Sequence, residues 1–430
     1  MKSIHRCALA VAVGLCLTGS ALAAGKPLIQ SSQPLFSADL ASAALAVPAD
    51  QTVLSGILSS PSTAAVQLAR IDASAVDSNQ QQIEFDIGGQ RLTATQVKTE
   101  ALEGGNSVWH GNFGSAAVAK AKTLSGMDPL NSAILVRSGD TVTGSIRSNG
   151  KLYRVRPLPG GEHAVVEIDE NRMPVDHPAS DYNRLPTIPM PQTASDRVTA
   201  QGIPPGPTAT IRVMVVATNQ AVASYGGNMQ SLMQLAVSES NQSYVNSNVG
   251  INLVLANYST TTYAESSSFN TDLTRFRGTT DGFMDTIHTT RNTSTADVNM
   301  LVIHNPTSCG LASAIGSTAA TAFAAVHWDC ATGNYSFAHE IGHLQSARHD
   351  AANDPSTSPY AYGHGYRYEP ATGSRWRTIM AYNCGGAGCP RLNYWSNSSV
   401  NFGGVPMGNA STADNQRVLV NTKATVAGYR

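Results

Sequence analysis

This chain is short of charge. Asp, Glu, Lys and Arg make up 13% of its 430 residues, about half the usual share, and the formal net charge is −1. Such a surface has little with which to steer nucleic acid or an anionic membrane toward it, so neither is expected as a partner. Cysteine is missing from Ala24 to Ser308, and no CxxC pair occurs, which argues against a thiolate metal site. Internal repeats and low-complexity tracts are lacking as well. Histidine is sparse, 11 in all, yet His339, His343 and His349 fall within one short stretch.

What the chain does have is length for two or three domains and a hydrophobic share of 42%, ordinary for globular cores. It opens with "MKSIHRCALAVAVGLCLTGSALAAGKP", in which Lys2 and Arg6 precede an apolar run ending at Ala21, Leu22 and Ala23. This predicts a signal peptide over 1–24, cut near Ala23 or Ala24. A membrane anchor is excluded because the run is well short of the roughly 20 residues that span a bilayer. A secreted, extracellular protein is expected. Cleavage would remove Cys7 and Cys16 and leave Cys309, Cys330, Cys384 and Cys389. In an exported chain these predict two disulfides with three possible connectivities, of which the sequence-local one, Cys309 with Cys330 and Cys384 with Cys389, is preferred.

Over residues 25–185, β-like runs such as "QQIEFDIGG" and "SAILVRSG" alternate with polar turns, which predicts a β-rich domain. Residues 186–209, rich in Pro, Ser and Thr without apolar periodicity, read as an exposed linker. From 210 to 430, strand-like runs ("TIRVMVVAT", "INLVLANYS", "VNMLVIHN", "AAVHWDC") alternate with helical ones ("NMQSLMQLAVSESNQSYVNS", "DLTRFRGTTDGFMDTIHTTRN"), the pattern of a mixed α/β domain.

The histidine-rich stretch is "NYSFAHEIGHLQSARHD". On a helix, His339 and His343 lie one turn apart on the same face and can reach a single ion. Glu340, next round the helix, can contact a water on that ion without binding the ion itself, as a general base must. Gly342 costs about 1 kcal/mol in a helix interior, which fits a close backbone approach there. His349 would point away from the other two unless the helix ends near Ser346 and turns back. Three neutral imidazoles and a water make an open tetrahedral zinc site of the catalytic kind. His288, His304, His327 and His364 lack spaced partners and read as ordinary core or surface histidines.

"HEIGHLQSARH" matches the metzincin pattern HExxHxxGxxH, and "TIMAYNC" resembles the Met-turn, which would set Met380 beneath the metal. Ser346 stands where the family has glycine, at a turn of positive φ, where a side chain costs about 1 kcal/mol. Asp350 after the third histidine is similar to the adamalysin (reprolysin) branch. Tyr382 is similar to a tyrosine of astacins and serralysins that binds zinc or stabilises the oxyanion; packing beneath the site is its other reading. The segment from Ser336 to Tyr382, with the secreted precursor layout, looks most like the bacterial peptidyl-Asp metalloendopeptidases.

That resemblance implies an α/β (α+β) metzincin-like catalytic domain with a mixed sheet, an active-site helix and a Met-turn, preceded by a β-rich propeptide domain. It implies one catalytic Zn2+ on His339, His343 and His349, with Glu340 as base, acting on protein or peptide substrates on the N-terminal side of Asp, with Glu weaker. An aspartate pocket needs a guanidinium. The region around and beyond the Met-turn offers Arg375, Arg377 and Arg391, of which Arg391 and then Arg377 are the candidates. The propeptide is expected to inhibit by covering the cleft, and without a cysteine it has no thiolate to offer. Asp176 or His177 in "RMPVDHP" could fill the open metal position, or the stretch is a plain loop. The Ser195–Asp196 bond would be a self-cleavage site. The rival readings are a metzincin of broad specificity and a noncatalytic secreted metal-binding module, against which an intact Glu340 argues.

Overall fold

The computed structural model describes residues 25–35, 40, 44, 47–114, 125–190 and 204–430. The expected signal peptide and the Ser195–Asp196 bond lie outside the described residues.

Ten strands run through the N-terminal half: Lys26–Pro27, Ile29–Leu35, Thr63–Ile71, Gln82–Ile87, Gln90–Ala101, Ser107–Phe113, Ser132–Ser138, Thr141–Ser148, Lys151–Pro157 and His163–Ile168 (β1 to β10). Their order in the sheet is β1-β4-β5-β6-β7-β8-β9-β10-β3-β2. Alternation sets the inner face, as in β4, where Ile83, Phe85 and Ile87 are buried. Turn chemistry sets the pairing: the β4–β5 hairpin turns on Gly88 and Gly89, both at positive φ, and β8–β9 on Asn149 and Gly150. The two ends of the sheet, β1 and β2, are separated by Leu28 alone. Its N–H donates to Glu84 O and its carbonyl accepts from Asp72 N–H, so the sheet curls round and its ends meet.

The C-terminal half is built on a mixed five-stranded sheet of Ala209–Thr218, Ile251–Thr261, Val298–Ile303, Gly310–Ala312 and Phe323–His327 (β11 to β15), ordered β12-β11-β13-β15-β14. All neighbours are parallel except β14, an antiparallel edge strand beside β15. The central strands are buried on both faces, β13 completely, as unbroken apolar runs require. In chain order the helices are Thr52–Ser59 (α1), Ala179–Tyr182 (α2), Asn219–Tyr225 (α3), Met229–Asn246 (α4), Phe269–Arg277 (α5), Ile287–Thr293 (α6), Ser336–Leu344 (α7) and Asn415–Val426 (α8). Cys309 is bonded to Cys330 and Cys384 to Cys389. Among the described residues, no helix is long and apolar enough to cross a membrane.

Two features depart from the sequence reading. The expected single helix "DLTRFRGTTDGFMDTIHTTRN" is two, α5 and α6. Gly278 ends the first, and Gly282 takes a positive φ of 85° between them. The expected linker also begins too early: Ile188 N–H donates to Ile315 O, and Met190, an apolar side chain, is buried in the C-terminal core.

The halves pack through α4, whose Leu235 joins Val108, Met127, Ile134 and Val136 in one apolar cluster. Around it lie buried polar contacts. Arg154 donates to Asp329 at 2.7 Å, Arg147 to Glu170 at 2.6 Å, and Arg156 stacks on Trp328. Glu239 of α4 sits among them and accepts the Gly333 N–H at 2.9 Å. Burial pushes its carboxyl up to about 7, against the pull of Ser145, Gly333, Arg154 and Arg147. A raised carboxyl keeps more protons in the folded chain, so stability is fully present below the ordinary carboxyl range and is lost as pH rises toward 7. Glu239→Gln is therefore expected to be near neutral at pH 5 and to stabilise by on the order of 2 kcal/mol at pH 8. Urea midpoints of the full chain at the two pH values check this, and an equal change at both would contradict it.

Candidate active site

The site is assembled on α7 and the turns around it. The helix stops at Leu344 because Ser346 adopts φ 76°, with Ser346 N–H bonded to His343 O and Ala347 N–H to Gly342 O. This is the reciprocal pair of a Schellman cap, formed here with serine in the position that favours glycine. The chain then doubles back and brings His349 beside His339 and His343. Gly342 has a different reason from the backbone approach its sequence position suggested. A Cβ there would lie 2.6 Å from the Trp395 ring and 3.1 Å from Met380 Sδ, so the close neighbours are side chains.

A fourth histidine joins the three. His177 Nε2 lies 3.0 Å from the Nε2 atoms of both His339 and His343; those two are 3.1 Å apart, and His349 Nε2 is 3.2 and 3.1 Å from them. His339 Nδ1 faces Ile379 O at 3.0 Å, His343 Nδ1 faces Ala347 O at 2.8 Å, and His177 Nδ1 faces Gly310 O at 2.9 Å. A carbonyl only accepts, so in these three rings Nδ1 carries the proton and Nε2 presents a lone pair. Lone pairs converging at this distance repel unless a cation lies between them. A tetrahedral ion with ligands at about 2.0 Å has ligand–ligand edges of about 3.3 Å, close to the spacing seen. The group could hold one metal ion. All four rings are buried, and burial keeps them neutral: His177 is pushed down to about 4, and the other three fall well below the usual range, aided by the neighbouring imidazoles.

Glu340 is buried beside this centre, with neither carboxylate oxygen hydrogen-bonded to a protein group. Burial raises its carboxyl well above the ordinary range, Asp176 adds to this, and Arg391 opposes it. Gly310 on β14 leaves it room, since a Cβ there would collide with the Glu340 carboxylate. Met380 is fully buried in the core under α7. The Tyr382 ring lies 4.3 Å from that of His349, and its N–H donates to Asp350 at 3.0 Å. Asp350 also pairs with Arg367 at 3.3 Å, so the residue after the third histidine fixes the turn that carries Tyr382.

Arg391 is completely buried; it donates to Asp176 at 2.6 Å and to the carbonyls of Asn334 and Ala381. Arg377 lies 3.9 Å from the same carboxylate. Burial opposes ionisation of Asp176, but Arg391, with help from Arg377, holds it well below the usual carboxylate range. A cavity of about 590 Å³ opens here, its lining including Asp176, His177, Arg377 and Tyr382. Arg375 is not part of it, being tied at the surface to Glu369 and to Gly385 O.

The "RMPVDHP" stretch is therefore held in the cleft rather than forming a free loop. Cys309 N–H donates to Val175 O at 2.8 Å and Gly310 N–H to Asp176 O at 3.0 Å. Tyr182 has no motif to mark it, yet its ring stacks on His177 at 5.0 Å and His349 at 4.2 Å, and its hydroxyl donates to Asp354. His364 backs the site through His349 O, whereas His288 bonds Gly278 O and His304 and His327 pack about Trp328.

Comparison with known proteins agrees with this arrangement. Residues 207–396 match Metallo-peptidase family M12 (Reprolysin_5). A buried histidine centre of this kind in such a domain defines a metalloendopeptidase, and this chain is one. A peptidyl-Asp metalloendopeptidase of Xanthomonas campestris pv. campestris is 64% identical over 430 residues, 100% of both chains. One of Stenotrophomonas maltophilia is 62% identical over 431 residues, covering 100% of this chain and 99% of its own. One of Pseudomonas fragi is 58% identical over 192 residues, 45% of this chain and 100% of its own. The chain belongs to the peptidyl-Asp metalloendopeptidase family.

Proposed function

We propose that this chain is a secreted zinc endopeptidase, made as a latent precursor, that cuts proteins and peptides on the N-terminal side of aspartate and less well before glutamate. The observation that carries the reading is the adjacency of a metal-binding histidine centre to a buried guanidinium already holding a carboxylate, Arg391 on Asp176. A divalent ion on His339, His343 and His349, zinc being the usual choice for an all-imidazole set, would acidify a water and polarise the scissile carbonyl. Glu340 takes the proton of the attacking water as its oxygen bonds to the carbonyl carbon. As the C–N bond breaks, Glu340 passes that proton to the departing amine. Its dry surroundings and unpartnered oxygens suit a group that must exchange a proton. Tyr382 is the candidate donor to the developing oxyanion, Met380 the base of the site in the Met-turn, and Arg391 with Arg377 the pocket for the aspartate side chain.

In this reading residues 1–24 are the signal peptide, 25–185 the propeptide domain and 210–430 the catalytic domain, with the linker starting after Met190 rather than at 186. The propeptide inhibits by covering the cleft, with His177 in the coordination position that the attacking water needs, and the precursor is opened at Ser195–Asp196. Digestion of a mixed protein substrate with and without a chelator tests the metal requirement. Cleavage should stop with the chelator and return on adding zinc, and chelator-resistant cleavage would contradict the reading.

A further inference from the structure

The cavity that holds Arg377 and Tyr382 is also lined by Asn383 and Asn171, and Asn383 opens a small loop closed by the Cys384–Cys389 disulfide. The loop reads "CGGAGC". Groups of the C-terminal half alone hold its shape. Asn383 Oδ1 accepts the N–H groups of Cys384 and Cys389 at 2.9 and 3.0 Å. From outside, Gly385 N–H donates to Glu369 at 3.1 Å and Gly385 O accepts from Arg375 at 2.9 Å. With its oxygen committed to the loop, Asn383 turns its Nδ2 outward. A donor, Asn383 Nδ2, and an acceptor, Ala387 O, thus face the same neighbour across Gly388.

In the full chain that neighbour is one side chain of the N-terminal half. Asn171 Oδ1 accepts from Asn383 Nδ2 at 2.9 Å, and Asn171 Nδ2 donates to Ala387 O at 3.0 Å. Gly388 leaves the room: a Cβ there would lie 1.8 Å from Asn171 Oδ1, and its φ of 72° disfavours a side chain. One donor beside one acceptor matches a primary carboxamide, which carries C=O and N–H on the same side. A trans main-chain peptide points them in opposite directions and cannot meet both. A carboxylate would set a lone pair against the Ala387 carbonyl, and an ammonium would set a donor against Asn383 Nδ2. We propose that this slot is a substrate subsite for a carboxamide side chain, asparagine or glutamine, close to the aspartate that Arg391 receives, and that Asn171 occupies it until the N-terminal half departs. The proposal deepens the aspartate-specific reading above and rests on it for the adjoining pocket.

The test measures kcat/KM of the processed, zinc-loaded enzyme on peptides that share one aspartate bond and carry Asn, Gln, Leu, Asp or Lys at one flanking position after another. At one position Asn or Gln is expected to exceed Leu by about fivefold, from two hydrogen bonds at the weak, solvent-exposed end of the range, with Asp and Lys no better than Leu. Asn383→Asp keeps the oxygen that holds the Cys384 and Cys389 N–H groups, and so the loop, but replaces the outward donor with an acceptor. At the same position its carboxamide advantage should vanish and Lys should overtake Leu. Because every peptide keeps the same aspartate, any general effect of the new charge on the pocket cancels in the ratio. Gly388→Ala fills the slot and should erase the carboxamide advantage without favouring Lys.

No carboxamide advantage at any position in the unsubstituted enzyme, which needs no variant to fold, would overturn the proposal, as would an advantage that persists in Asn383→Asp. Failure of the underlying specificity reading is seen separately, as equally fast cleavage of a peptide whose shared aspartate is replaced by alanine.

Discussion

Glu340→Gln is expected to keep the metal and to lower kcat by about 10² to 10⁴. The substitution preserves size and leaves all four imidazoles untouched, so zinc measured by elemental analysis should stay at one per chain. What is lost is the group that can take a proton. Glutamine cannot accept the water's proton or hand one to the leaving amine, and neither nearby carboxylate can take over, because Asp350 is committed to Arg367 and Tyr382 and Asp176 belongs to the part removed on processing. The drop should fall on kcat rather than KM. Turnover close to the unsubstituted enzyme, with the metal in place, would contradict a proton-carrying role.

His349→Ala is expected to strike the metal itself. In the precursor, His177, His339 and His343 would still surround the ion. Once the segment is displaced, His339 and His343 remain alone, and two imidazoles on one helix do not make a closed tetrahedral set. Affinity should fall by more than the roughly 10- to 100-fold typical of losing a group that merely supports a ligand. The loss should be larger in the processed enzyme than in the full chain, where His177 compensates. Competition with a metal indicator on both forms measures this, and stoichiometric, tightly held zinc in the processed variant would remove His349 from the ligand set.

The parts of this site that could be read in the sequence are those set by local spacing. His339 and His343 follow from the helical repeat, and the turn that returns His349 follows from the need to reverse the chain at Ser346, which the structure achieves at φ 76°. Alternating strands and apolar runs likewise gave the main sheet elements of both halves. Spacing does not report on contacts made from far along the chain. His177 and His339 meet across 162 residues, so "RMPVDHP" could be read as a plain loop as readily as a ligand. Tyr182 and Trp395 enter for packing reasons that no periodicity encodes. The edge strand β14, "GLA", is too short and too plain to register, although its Gly310 N–H holds Asp176 O. Helix continuity over "DLTRFRGTTDGFMDTIHTTRN" failed because apolar periodicity persists across Gly278 and Gly282, where the backbone does not.

The buried guanidinium of Arg391, beside the histidine centre, is expected to choose the bond to be cut. The cleavage-site profile of a digested proteome, compared for the unsubstituted enzyme and Arg391→Ala, tests it most directly. Losing a buried charge-assisted contact to the substrate carboxylate should reduce kcat/KM for aspartate bonds by about 10²-fold. Cleavage by the unsubstituted enzyme should be dominated by aspartate immediately after the scissile bond, with glutamate second, and that preference should collapse in Arg391→Ala while zinc stays bound. An unchanged aspartate preference in an Arg391→Ala enzyme that retains its zinc would contradict the account.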